Sequence, residues 1–163
     1  MRQLEFSGKI KRNKGLFHNM SIPGRRELAS APADWPETLI PGSLNIRIDL
    51  GLLPDVFSAI GSGKNMKEFD SGDFRPEFEI SHDKLMGNSL LPTADQPRKG
   101  TAQIWRANLA TAAGTDVKCW MLRRIGSSIG AQIELVSEHH LRTLLGLEDG
   151  TPVNVTIYEG SFA

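Results

Sequence analysis

Pro41-Gly42-Ser43-Leu44-Asn45-Ile46-Arg47-Ile48 reads as a turn that feeds directly into an alternating strand. Pro41 restricts φ, and Gly42 permits a tight bend and a close backbone approach by a ligand. On an extended chain, residues two apart share a side. Ser43 and Asn45 therefore face one way, while Leu44, Ile46 and Ile48 face the other and can anchor the strand in a core. Two small oxygen-bearing side chains beside a glycine turn suit a hydrated cation or a phosphate. The local alternative is a strand start in which both side chains bond nearby backbone.

Working outward, Leu4 to Lys11 alternates loosely and predicts a first strand, with Gly8 as a bulge or close approach. Leu44 to Leu50 is the second strand, and Glu77 to Ile80 a short third. Ala102 to Leu109 and Val117 to Leu122 predict two strands joined by a turn at Gly114, and Ala131 to Val136 another. Gly24 to Ala31 reads as a short helix ended before Pro32. Ser137 is placed to cap a second helix, Glu138 to Leu145, with Leu141, Leu144 and Leu145 on its apolar face and Gly146 as its terminator. Asp149-Gly150 signals a turn, and Pro152 to Tyr158 is the last strand. Gly51 to Arg75, rich in Gly, Ser, Asp and Lys, reads as an insertion or flexible excursion. Many short strands with no repeated βαβ rhythm favour a small β-barrel with helical connections.

At 163 residues the chain is most simply one domain, 1–163. Lys plus Arg and Asp plus Glu balance at 19 each, which argues against nucleic acid or an anionic membrane as the main partner. A local basic cluster still stands out at Lys9, Lys11, Arg12 and Lys14. The one cysteine, Cys119, excludes an intrachain disulfide and sits in an apolar run that suits a core thiol. Met1 to Phe6 lacks the apolar stretch of a signal peptide, and no run is long enough to cross a membrane, so the expected location is cytoplasmic. Gly61-Ser62-Gly63-Lys64-Asn65 imitates a phosphate loop, but Ser58 and Asn65 stand where that motif needs Gly and Ser or Thr. His18, His82, His139 and His140 have no ligand-like spacing.

Together with Ile133-Glu134-Leu135-Val136-Ser137, Leu141-Arg142 and Leu147-Glu148-Asp149-Gly150-Thr151-Pro152-Val153, the opening stretch resembles the archaeal-type CTP-dependent riboflavin kinases. The resemblance runs in patches from Phe6 to Tyr158. It implies a mainly β fold, a six-stranded cradle-loop (RIFT-type) β-barrel with short helices. It also implies transfer of the γ-phosphate of CTP to the 5′-hydroxyl of riboflavin, giving FMN, with Mg2+ as cofactor. Ser43 and Asn45 match the positions that hold the metal, Gly42 lets the phosphates approach, and Glu134 aligns with the acid expected to bond the ribityl chain or orient the attacking hydroxyl. Lys11, Gly15, Phe17, Arg124 and Ser127 are the further candidates for binding nucleotide or flavin. One departure is marked: a family run of the form Gly-x-Gly-x-Gly-x-Tyr is replaced by Arg12-Asn13-Lys14-Gly15-Leu16-Phe17-His18, in which bulkier side chains obstruct backbone wrapping of a triphosphate. Two other readings stay open: a barrel that binds flavin or nucleotide without transferring phosphate, and a DNA-binding or scaffold barrel of related topology, which the neutral charge disfavours.

Overall fold

A computed structural model describes residues 2–11, 21–41, 43–49, 62–85, 90–127 and 131–161. In chain order its elements are β1 (Gln3–Lys11), β2 (Leu44–Ile48), α1 (Ser62–Asp70), β3 (Phe78–Ile80), β4 (Ala102–Thr111), β5 (Asp116–Arg124), β6 (Gln132–Val136), α2 (Leu141–Leu145) and β7 (Pro152–Tyr158). The strands hydrogen-bond in the order β3-β4-β5-β6-β2-β1-β7, and β7 returns to pair with β4. All pairings are antiparallel, so the chain is mainly β and forms a closed six-stranded barrel: the strand pattern predicts a small β-barrel, and the resemblance implies its six strands.

Strict alternation sorts the side chains between the two faces of the barrel wall. Leu4, Phe6 and Ile10 of β1, Leu44, Ile46 and Ile48 of β2, Ile133 and Leu135 of β6, and Val153, Val155 and Ile157 of β7 turn inward and make the main core. Gly8 is required at its inward position: a Cβ there would lie 2.4 Å from the Arg47 carbonyl oxygen and 2.8 Å from Ile46 Cγ2. This is the close approach expected of Gly8.

The outer face of β4, β5 and β6 is covered too. Ile22, Leu28 and Trp35 pack with Phe78, Ile80, Ile104, Trp120, Leu122 and Val136 in a second cluster. Trp35 is its centre, with Phe78 and Trp120 rings edge-on at 5.0 Å each and its indole N–H donated to the Pro23 carbonyl at 3.0 Å. Arg106 ties the same strap down, donating to both Asp34 oxygens at 2.8 and 2.9 Å and pairing with Glu77. That bond holds the Asp34 carboxyl below the usual carboxylate range.

Two helix expectations change, and a helix lies within the stretch expected to be an excursion. Residues 24–31 form only a 3-10 turn at Arg25–Glu27. Here Gly24 is pressed against the Glu37 carbonyl and Arg25 N donates to Pro36 O at 2.9 Å, so tertiary contacts override local propensity. The second helix begins at Leu141 rather than Glu138. Ser137 Oγ accepts from His139 N, two residues on, which makes a turn and leaves His140 to cap the helix through Thr143. Leu144 points outward, 53% exposed, while Leu141 is buried and Gly146 ends the helix at φ 63°. Finally, 62–75 belongs to the fold. Helix α1 and the turn after it send Met66, Phe69 and Phe74 into the main core, with Arg123 stacked on Phe69 and bonded to Asp70 at 2.8 Å. The charged residues that suggest an excursion occupy the outer side of this amphipathic helix. Residues 51–61 lie outside the described residues.

Trp35→Ala should cost about 3–5 kcal/mol by urea denaturation, because the cavity opens between two aromatic partners and strands a carbonyl. A loss below 1 kcal/mol would mean the strap adds little to the barrel.

Candidate functional site

The outer face of the sheet carries one row of side chains that changes character along its length. Register places Lys11 opposite Asn45, Asn45 opposite Glu134, Glu134 opposite Leu122, and Leu122 opposite Ile104. The row thus begins with an exposed lysine, passes through two buried polar groups and ends in the second apolar cluster. Glu134 stands where the polar part meets the apolar part. Nothing in the local pattern of Ile133-Glu134-Leu135 announces this, since an isolated strand would show glutamate to solvent.

Glu134 is 5% exposed, and its buried carboxylate oxygens make no well-aligned hydrogen bond among the described residues, the Ser43 hydroxyl being the hydrogen-bonding group beside them. Burial pushes its pKa up to about 7, against an opposing pull from Arg124, Arg123 and the nearby Ser43 hydroxyl. The Ser43 Oγ is itself buried without an aligned partner. Asn45, 4% exposed, accepts at Oδ1 from Gln132 Nε2 at 2.9 Å, and Gln132 Oε1 accepts from Lys11 Nζ at 3.5 Å. Four elements contribute to this arrangement: the end of β1, the entry to β2, the end of β5 and the start of β6.

Lys11, Ser43, Asn45, Arg142, Leu147, Glu148 and Asp149 line a cleft of about 630 Å³ at this mouth of the barrel. That is within the size range of small-ligand sites. A smaller groove of about 110 Å³ shares Ser43 and Arg142 and continues past Ile40, Leu135 and His140. The sequence offers Arg142 only as part of the Leu-Arg pair; in the fold it lines the cleft and is held by Asp149 at 2.9 Å. Its pairing across the Gly150 turn could be found only once the turn had brought Asp149 back to α2.

The candidates divide into three groups. Lys11, Ser43 and Asn45 line one cleft, with Glu134 beside Asn45 in register. Arg124 and Ser127 do not line it. Arg124 is 2% exposed, donates from Nε to the Gly100 carbonyl at 2.6 Å, and has its pKa lowered to about 10 by burial. Ser127 stands in the turn after β5, its N–H donated to Arg124 O. Gly15, Phe17 and Gly42 lie outside the described residues, as do Arg12, Lys14 and His18. Cys119 is buried, and burial pushes its thiol up to about 12, as suits an inert core residue.

The donor set in the cleft is hard oxygen: a hydroxyl, an amide carbonyl and carboxylates. Such donors fit magnesium, and the orphaned Ser43 Oγ is the atom most in need of a partner. Among the described residues no group of three or more His, Cys, Asp or Glu side chains is placed to cage a metal, so a cation here would bring other ligands with it. No described helix is long and apolar enough to cross a membrane. The chain matches no protein-family model, and no curated protein matches it in sequence.

The Glu134 shift has a stability consequence. Its folded pKa of about 7 lies above the ordinary 4.5, so the folded state holds the proton more tightly. The stabilisation is complete below pH 4.5 and is lost as pH rises through 7, a swing of about 3 kcal/mol. Urea titrations of the wild type and Glu134→Gln at pH 5 and pH 8.5 should show the variant gaining on the wild type at the higher pH. Parallel stability curves would mean the carboxylate is solvated.

Proposed function

We propose that the chain is a riboflavin kinase-like phosphotransferase that moves the γ-phosphoryl group of a nucleotide, CTP by resemblance, to the riboflavin 5′-hydroxyl. The observation that carries this reading is the cross-strand row Lys11–Asn45–Glu134 at the edge of a cleft that also holds Ser43 and Arg142. Those residues are contributed by segments far apart in sequence, and they supply the three requirements of phosphoryl transfer: cation ligands, positive charge for phosphate, and a group that can handle the hydroxyl proton.

Ser43 and Asn45 would hold magnesium. Both are neutral, which suits a cation whose charge is already balanced by phosphates. The Asn45 amide oxygen already accepts from Gln132 with one lone pair, which fixes its orientation and leaves the second for a cation. Bound magnesium would draw charge off the phosphate oxygens as the transferred group leaves. Lys11 and Arg142 add positive charge from two sides of the cleft. Glu134 has a pKa near neutrality, the range in which a carboxylate can take a proton at working pH. In the proposed step the ribityl oxygen bonds to the γ-phosphorus, its proton passes to Glu134, and the bond from that phosphorus to the bridging oxygen breaks, releasing the nucleoside diphosphate with the electron pair.

The test is formation of FMN from riboflavin with magnesium and CTP, ATP or no nucleotide. FMN should appear only with a donor. Ser43→Ala and Asn45→Ala should raise the magnesium concentration needed for half-maximal rate, and Glu134→Gln should lower kcat by about 10²-fold or more. Absence of FMN with every donor sinks the kinase reading and leaves a ligand-binding barrel.

A further inference from the structure

Beside the polar row, the outer face of β1 and β2 carries an arrangement that sheets ordinarily avoid. Lys9 stands directly opposite Arg47, and Lys11 follows two residues along on the same face. Like charges directly opposite one another on adjacent strands destabilise the pair. All three side chains are exposed, and none forms an ion pair with a described carboxylate. The neighbours across the sheet do not neutralise them: Pro152 is opposite Lys9, and Gln132 is opposite Arg47. The acids on this face are Glu5, toward the opposite end of the barrel, and Asp49, which follows Arg47 by one strand repeat and lies diagonal to Lys9, so the pair keeps a net positive charge of one with Asp49 counted and Lys11 adds another. Glu134 and Asn45 complete the block on its inner side.

The charges around the cleft have a direction. Glu148 and Asp149 form one lip, with Asp149 already engaged by Arg142. Lys11 is on the other side, and beyond it the sheet surface leads to Lys9 and Arg47. An anionic chain entering the cleft is repelled from the acidic lip and drawn over Lys11 onto this basic pair. The buried oxygens of Ser43 and Glu134, beside each other but without a well-aligned bond, sit at the start of that path, where a cation carried by the anion would meet them.

We infer that Lys9 and Arg47 form an oligophosphate subsite on the outer face of β1 and β2, continuous with the cleft through Lys11. The ligand class is a linear polyphosphate chain, as on a nucleoside triphosphate. The subsite supplies from side chains the contacts that a glycine-rich loop would supply from backbone amides. It rests on the proposed kinase reading for the nucleoside at the end of the chain.

The probe is inorganic tripolyphosphate with magnesium, measured by calorimetry. The wild type should bind it saturably. The double substitution Lys9→Gln/Arg47→Gln should weaken binding by at least about 10-fold, since two charge-assisted contacts are lost. Lys64→Gln, on exposed α1, should leave it unchanged. The double variant should melt no lower than the wild type, since it removes the like-charge pair, and Lys64→Gln should melt with the wild type. No binding by the wild type, equal binding by the double variant, or an equal loss in Lys64→Gln overturns the subsite. Turnover separates the two readings. Tripolyphosphate binding lost in the double variant, with no FMN from any donor, ends the kinase reading and keeps the subsite. FMN formation with the KM for the nucleotide unchanged in the double variant ends the subsite and keeps the kinase.

Discussion

Everything else in this fold depends on how one edge of β4 is shared. One edge is filled by β5 along almost the whole strand. The other edge is divided: Ala102–Ile104 pairs with β3, and Arg106–Thr111 pairs with β7. The second pairing joins the last strand to the middle of the chain and closes the barrel. Trp105 lies at the changeover, its ring in the main core and its indole N–H donated to the Phe74 carbonyl at 3.3 Å. Closure leaves those strands no open edge and forces every side chain to face either the interior or the outer wall.

A barrel this small is filled by its own side chains. Phe6, Trp105, Leu109, Met121 and Ile133 occupy the inside, and α1 adds Met66 and Phe69. Among the described residues the interior is apolar, so polar groups for a site gather at a mouth or on the outer wall. The cleft beside α2 is such a mouth. Asn45 and Arg47 reach the outer wall because Leu44, Ile46 and Ile48 reach the core, a direct result of the two-residue repeat.

The energetics of Glu134 bear on function. A carboxyl group buried without a well-aligned hydrogen bond is a cost that a purely structural strand would avoid by placing an apolar residue there. The nearby guanidinium of Arg124 offsets part of that cost, but burial is the larger effect on both groups. Destabilised polar groups of this kind gather where a ligand or reaction supplies the missing partner. The buried Ser43 hydroxyl beside it, without a well-aligned bond, belongs to the same pattern, while the apolar cluster around Trp35 packs on the adjoining part of the wall.

Alternation and turn chemistry determined most of the barrel strands from the sequence alone. Pro152–Tyr158, the Gly114 turn and the inward faces of β1 and β2 follow from short-range rules, because a strand's side-chain repeat is local. The pairing of Ser43 with Asn45 on one side is local in the same sense. Helix limits were less legible: 24–31 was redirected by contacts with 33–37, and α1 is stabilised by a core that its polar composition does not reveal. Only the tertiary structure decided that Glu134 is buried, that Arg142 meets Asp149 in the cleft, that Arg124 turns instead to Gly100, and that Lys9 faces Arg47. Each of these depends on strand register or on a loop returning from a distance. Such relations are set by closure of the whole sheet, and no window of neighbouring residues contains them.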